Sequence, residues 1–242
     1  MSFERVPSPG AEPVPPGLGE ASGPPGNHES TPALQLQVLA TEHWGLLATR
    51  SLAWSESFTR GGMFLSALSG AIVALALVAQ VTEFGNEFTL FALVILPVVL
   101  LIGLTSYVRM GAVNYYDTLC VVGMNRIRNA YLRLTPEVEP YLVFGSHDDF
   151  ANITLTMGVP PGSNFVVSAF VAIPFVVNII NSLVAGVILT LLARLAGVPL
   201  GIGVGIGAIG GLALLTSSLM YARRNRAMAR TILSPRFPSE GD

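Results

Sequence analysis

Long apolar runs without a single charge alternate with short polar punctuation along this chain. Gly61–Val81, Phe88–Val108, Phe165–Leu189 and Pro199–Tyr221 contain no Asp, Glu, Lys, Arg or His. A helix needs roughly 20 apolar residues to cross a bilayer's hydrocarbon core, and each run is that long. The pattern predicts an all-α, four-transmembrane-helix integral membrane protein with spans 61–81, 88–108, 165–189 and 199–221.

A different periodicity precedes the first span. Ser30 or Thr31 offers a helix cap and Pro32 suits the first helical position. From Ala33 to Arg60 only Gly45 interrupts. Trp44, Leu47, Ser51, Trp54 and Phe58 recur at spacings of three and four, a heptad-like stripe. Glu42, Arg50, Glu56 and Arg60 occupy the other faces. An amphipathic helix over 33–60 follows, and two placements remain open. It lies along the membrane interface, where Trp is favoured, or it extends the first span straight into water and packs on neighbouring subunits. Gly61-Gly62 is the expected hinge between the two.

The loop 109–164 is too long for a plain connection. Its Asn114–Leu134 stretch has helical character, with Leu119, Ile127, Tyr131 and Leu134 near one face, and Pro136 and Pro140 close it. His147-Asp148-Asp149 then reads as a solvated loop, since adjacent residues rarely converge on one metal ion. Residues 1–32 hold eight prolines and five glycines, too little apolar surface to offset ordering entropy. A disordered Pro-rich tail is expected there, and a basic tail with a frayed end over 222–242.

Composition reinforces the membrane reading: 51% of the 242 residues are apolar and only 12% charged, against about 25% charged in soluble domains. All 13 basic residues are Arg. Twelve of them fall before the first span, between the second and third, or after the fourth, and only Arg194 falls on the other side. That bias places both termini and the middle loop in the cytoplasm of a cell whose inner membrane the chain spans. The first 30 residues carry no apolar core of a cleavable signal, so the span 61–81 is expected to act as an uncleaved insertion signal. Cys120 stands alone, which excludes an internal disulfide and a thiolate metal cluster.

Few residues promise chemistry. In the third span, spacings of three and four put Asn178, Asn181 and Ser182 on one face, and Pro174 predicts a kink, since it cannot donate to the Phe170 carbonyl. Two carboxamides at that depth are costly without partners. They either bond neighbouring helices or, in an oligomer, line a polar path. Gly203, Gly207 and Gly211 repeat every four residues, as do Gly62, Ser66 and Gly70, the spacing of close helix packing. Arg223, Arg224 and Arg226 directly follow the fourth span, where they can hold anionic lipid headgroups and fix topology. No G-x-S-x-G elbow, H-E-x-x-H, P-loop or C-x-x-C motif is present, so no enzyme, cofactor, metal or nucleic-acid role is expected.

The amphipathic helix, the two close spans and the Arg-rich helix after them, over Leu34–Leu134, loosely resemble the layout of the SLATT group, bacterial two-span proteins proposed as pore-forming effectors. Gly123-Met124-Asn125-Arg126-Ile127-Arg128-Asn129-Ala130-Tyr131 and Glu137-Val138-Glu139-Pro140-Tyr141 look like segments of uncharacterised multi-span proteins of GC-rich actinobacteria. The resemblance implies a pore, and the second pair of spans departs from its plan. Two functions are therefore expected in competition: a self-associating, channel-like protein, or a non-enzymatic membrane scaffold that recruits a cytoplasmic partner.

The topology is directly testable. With Cys120 replaced, Gly85→Cys and Val198→Cys should react with a membrane-impermeant thiol reagent from outside, and Ser146→Cys should not. External labelling at residue 146 would overturn the arrangement.

Overall fold

The protein is described by a computed structural model covering residues 31–159, 173–232 and 234–239, with the backbone alone for 226 and 228–232. The expectations for residues 1–30, for the Phe170 carbonyl at the Pro174 kink and for the start of the third span lie outside these residues. Among the described residues every regular element is helical. Helix α1 runs Pro32–Thr82 and α2 runs Asn86–Leu134. A 3-10 turn, Pro136–Tyr141, leads to the short α3, Phe150–Thr156. Helices α4, Ile173–Leu195, and α5, Leu200–Ile232, complete the order. Four of these helices, α1, α2, α4 and α5, are long and apolar enough to cross a membrane.

The first two helices are far longer than a bilayer requires. At 1.5 Å per residue, the 51 residues of α1 extend about 75 Å, and α2 is nearly as long. Helix α1 passes Gly61-Gly62 unbroken, so the segment 33–60 continues the first span as one helix. The hinge is absent for a packing reason. A Cβ on Gly61 would lie 3.2 Å from Ile173 Cγ2 and 3.8 Å from Met110 Cε, whereas one on Gly62 would meet nothing within 4 Å. The glycine pair serves a close helix approach on one side only. Likewise α2 carries on through Pro97 and beyond residue 108 to Leu134, so the first half of the expected loop 109–164 is helix.

These extensions pair as a two-helix stalk, residues 32–60 against 109–134. The Arg50 Nε donates to Asp117 Oδ1 at 2.8 Å and the Trp54 indole N–H to the same oxygen at 3.3 Å. Arg109 grips Glu56 through two bonds of 2.7 and 3.0 Å, a bidentate geometry open to Arg and not to Lys. Bonding to Arg109 holds the Glu56 carboxyl below its ordinary pKa. Higher up, Leu46 presses so closely on Gly123 that a Cβ there would come within 2.7 Å of it. Cys120 is buried in this stalk, and burial pushes its thiol up.

A second hairpin, α4 and α5, leans on the first mainly through α4. Phe64, Ala71, Val99, Met110 and Val177 form one apolar cluster where α1, α2 and α4 meet. Ala92, Leu96 and Val184 form another between α2 and α4. The outward faces stay apolar: Ile72, Val94, Leu101, Leu183 and Ile209 are all exposed. Apolar surface on that scale suits a hydrocarbon solvent and not water. At the far turns, Arg194 Nη2 donates to the Phe84 carbonyl at 3.0 Å. Phe84 and Glu83 take the left-handed conformation, with φ of 59° and 48°, that reverses the chain between α1 and α2.

Asp117→Ala should destabilise the stalk by about 1–3 kcal/mol, since the Arg50 and Trp54 donors lose their shared acceptor. Thermal unfolding in detergent, followed by helical signal, checks it, and an unshifted midpoint would show the stalk holds without this contact.

Candidate functional site

The polar face of α4 points inward. Asn178, Asn181 and Ser182 are 1%, 0% and 6% exposed, enclosed by α1, α2 and α5 of the same chain. The Ser218 hydroxyl of α5 donates to Asn178 Oδ1 at 2.7 Å. The Tyr107 hydroxyl of α2 donates to the Ser218 carbonyl at 3.0 Å, and the Ser182 hydroxyl to the Asn178 carbonyl at 2.8 Å. Three helices thus meet through neutral hydrogen bonds.

Asn181 behaves differently. Among the described residues neither its Nδ2 nor its Oδ1 has a conventional partner, nor does Asn178 Nδ2. The carboxamide oxygen lies over the backbone of Gly103 on α2, in the place a Cβ would occupy, and that Cβ would also sit 2.6 Å from Phe64 Cε2. The oxygen is therefore aimed at a Gly103 Cα–H, a weak bond that recurs at helix interfaces. Leaving the amide N–H groups unpaired costs on the order of 1–3 kcal/mol, so the site holds unspent polar capacity.

Small residues set the distance between α4 and α5. Gly203, Gly207 and Gly211 are buried against α4. A Cβ on Gly207 would strike the Thr190 hydroxyl and the Gly186 carbonyl, and one on Gly211 would lie 2.6 Å from the Ser182 carbonyl. On Gly203 it would rest in ordinary contact, 3.5 Å from Ala193 Cβ. The stripe Gly62, Ser66, Gly70 faces outward instead: Gly62 and Gly70 have nothing within 4 Å, and Ser66 is exposed. Arg223 and Arg224 are exposed on α5, which continues past them and past Arg226 to Ile232.

The His147-Asp148-Asp149 loop is not solvated. Asp148 and Asp149 are 2% and 1% exposed, because residues 234–239, expected to be frayed, fold back over them. Asp148 accepts from the Arg236 N–H at 2.9 Å, the Phe237 N–H at 2.7 Å and Arg126 Nε at 2.7 Å. Asp149 accepts from the Ser239 N–H at 2.9 Å and caps α3 through the Asn152 N–H at 2.9 Å. Burial alone would raise both carboxyls, and these donors outweigh it and hold both below the ordinary carboxylate range. Lowered folded-state values mean that the stabilisation is complete above that range and fades only as pH falls through them. Beneath the loop Asn125, fully buried, donates to the His147 carbonyl at 2.9 Å and accepts from Arg128 and the Thr156 hydroxyl at 2.8 and 2.9 Å.

Gly103→Ala should cost about 1–3 kcal/mol by displacing Asn181. Adding Asn181→Ala should recover part of the loss, because the second change removes the displaced group together with its unpaired atoms. Strictly additive effects in a double-mutant cycle of thermal stability would refute the pairing.

Comparison of this chain with family models, with curated proteins and with solved structures finds no match.

Proposed function

We propose that the chain is a non-enzymatic scaffold of the inner membrane, both termini cytoplasmic, whose stalk carries a recruiting surface into the cytoplasm. The observation that carries this reading is the burial of the Asn178 face inside one chain. A pore between subunits needs that face to meet water, and here α2 and α5 occupy it. The stalk supplies the complementary feature. Trp44, Trp54 and Phe58 are 70%, 50% and 58% exposed, on a helix that rises well beyond the span. Exposed aromatic residues of this kind are the usual anchors of protein contacts. Self-association through the outward stripe Gly62, Ser66, Gly70 is compatible with the same arrangement, and the exposed Arg223 and Arg224 suit anionic headgroups.

One observation favours the channel-like reading suggested by the SLATT-like layout. The Asn181 carboxamide lacks conventional partners, as a group that meets water in another state would.

Asn178→Leu separates the two. In a scaffold, Ser218 loses its acceptor on α4 and keeps only the Leu214 and Leu215 carbonyls of its own helix, the thermal midpoint in detergent falls by the equivalent of about 0.6–2 kcal/mol, and the parent protein carries no ions in vesicles. In a channel the parent conducts and the variant, its polar path made apolar, conducts less while staying stable. Flux through the parent would refute the scaffold.

A further inference from the structure

We propose that the loop 145–149 together with the end of α2 is a peptide-recognition site, whose resident ligand is the chain's own segment Ser234–Ser239. This goes beyond the scaffold reading and does not depend on it.

The segment reads Ser-Pro-Arg-Phe-Pro-Ser. Proline has no N–H, so residues 235–239 offer three backbone donors: Arg236, Phe237 and Ser239. All three are taken. The first two bond Asp148 and the third bonds Asp149. The exchange is reciprocal, because the Asp148 N–H donates to the Phe237 carbonyl at 3.2 Å. Two buried carboxylates therefore read the spacing of main-chain donors: Pro, N–H, N–H, Pro, N–H.

Side chains add selectivity. The Arg133 guanidinium lies 4.5 Å from the centre of the Phe237 ring, a cation–π contact. Arg126 neutralises Asp148 at 2.7 Å, which lets a carboxylate stay charged where water is excluded, and also reaches the Ser234 carbonyl of the segment at 3.4 Å. The prolines restrict the backbone of the segment before it binds, lowering the entropy cost of docking. The ligand class is thus a Pro-flanked peptide, bent at the two residues between the prolines and carrying an aromatic side chain there. Because the resident segment is tethered through α5, a free peptide competes against an effective concentration on the order of 1 mM. Occupancy also ties α5 to α2 at the stalk, so any peptide that displaces the segment frees the end of α5.

Amide hydrogen exchange of the intact protein in lipid nanodiscs, read residue by residue, tests the site. The amides of Arg236, Phe237 and Ser239 should exchange roughly tenfold or more slowly than in a free peptide of sequence 234–242. Asp148→Ala should bring Arg236 and Phe237 to the free-peptide rate. Phe237→Ala, which alters only the segment and removes the ring under Arg133, should speed all three while stalk amides stay protected, so that a misfolded Asp148→Ala protein does not blur the outcome. Millimolar peptide 234–242 should speed exchange of the resident segment, and the same peptide N-methylated at Arg236 and Phe237 should not. Free-peptide rates in the parent protein, equal effects of the two peptides, or unchanged rates in Phe237→Ala would each overturn the proposal.

Discussion

Apolar helices surrounded by hydrocarbon gain little by leaving it for one another, so a bundle in a bilayer must be aligned by close contact and by polar groups that have nowhere else to go. In this chain that requirement falls on the contact of Asn178 and Asn181 with α2 and α5. The missing side chain of Gly103 admits the Asn181 carboxamide, and Ser218 closes over Asn178. Without this contact the two hairpins would share only apolar surface along their middle, between the polar joints at their two ends. The glycines between α4 and α5 act in the same way within the second hairpin, where backbone approaches backbone at Gly186, Gly207 and Gly211.

The hairpins are joined at three heights. Arg194 reaches the Phe84 carbonyl at one end, the Asn178 face sits midway, and residues 236–239 bind Asp148 and Asp149 at the other. Each joint uses a polar group of one hairpin against backbone or amide of the other. Backbone partners tolerate changes of side chain, so register is held by geometry that many sequences around it would permit.

The spans were legible because an uncharged run of this length has few other uses, and the inward face of α4 was legible because Asn178, Asn181 and Ser182 share one side of a helix by arithmetic. Its counterpart was not. Gly103 is one small residue within an apolar run, and nothing in its neighbourhood marks it as the place where a carboxamide rests. Gly61-Gly62 misled for a related reason, since a glycine pair signals a bend and a close approach alike, and only the positions of Ile173 and Met110 decide between them. The acidic loop was misread because its partners lie 88 to 90 residues onward and are main-chain N–H groups, which leave no trace in composition. Pro235 and Pro238 thin the main-chain donors of 235–239 to the three that Asp148 and Asp149 take.

That separation along the chain also orders events during synthesis. Arg236 is made 88 residues after Asp148, which at 5–20 residues per second is a delay of roughly 4–18 s. Through that interval both carboxylates lack the partners that bury them, and α4 and α5 are made before those partners exist. Closure of the loop over residues 236–239 is therefore a late event in biogenesis, and it requires the second hairpin to bring the end of the chain back to the loop that follows α2.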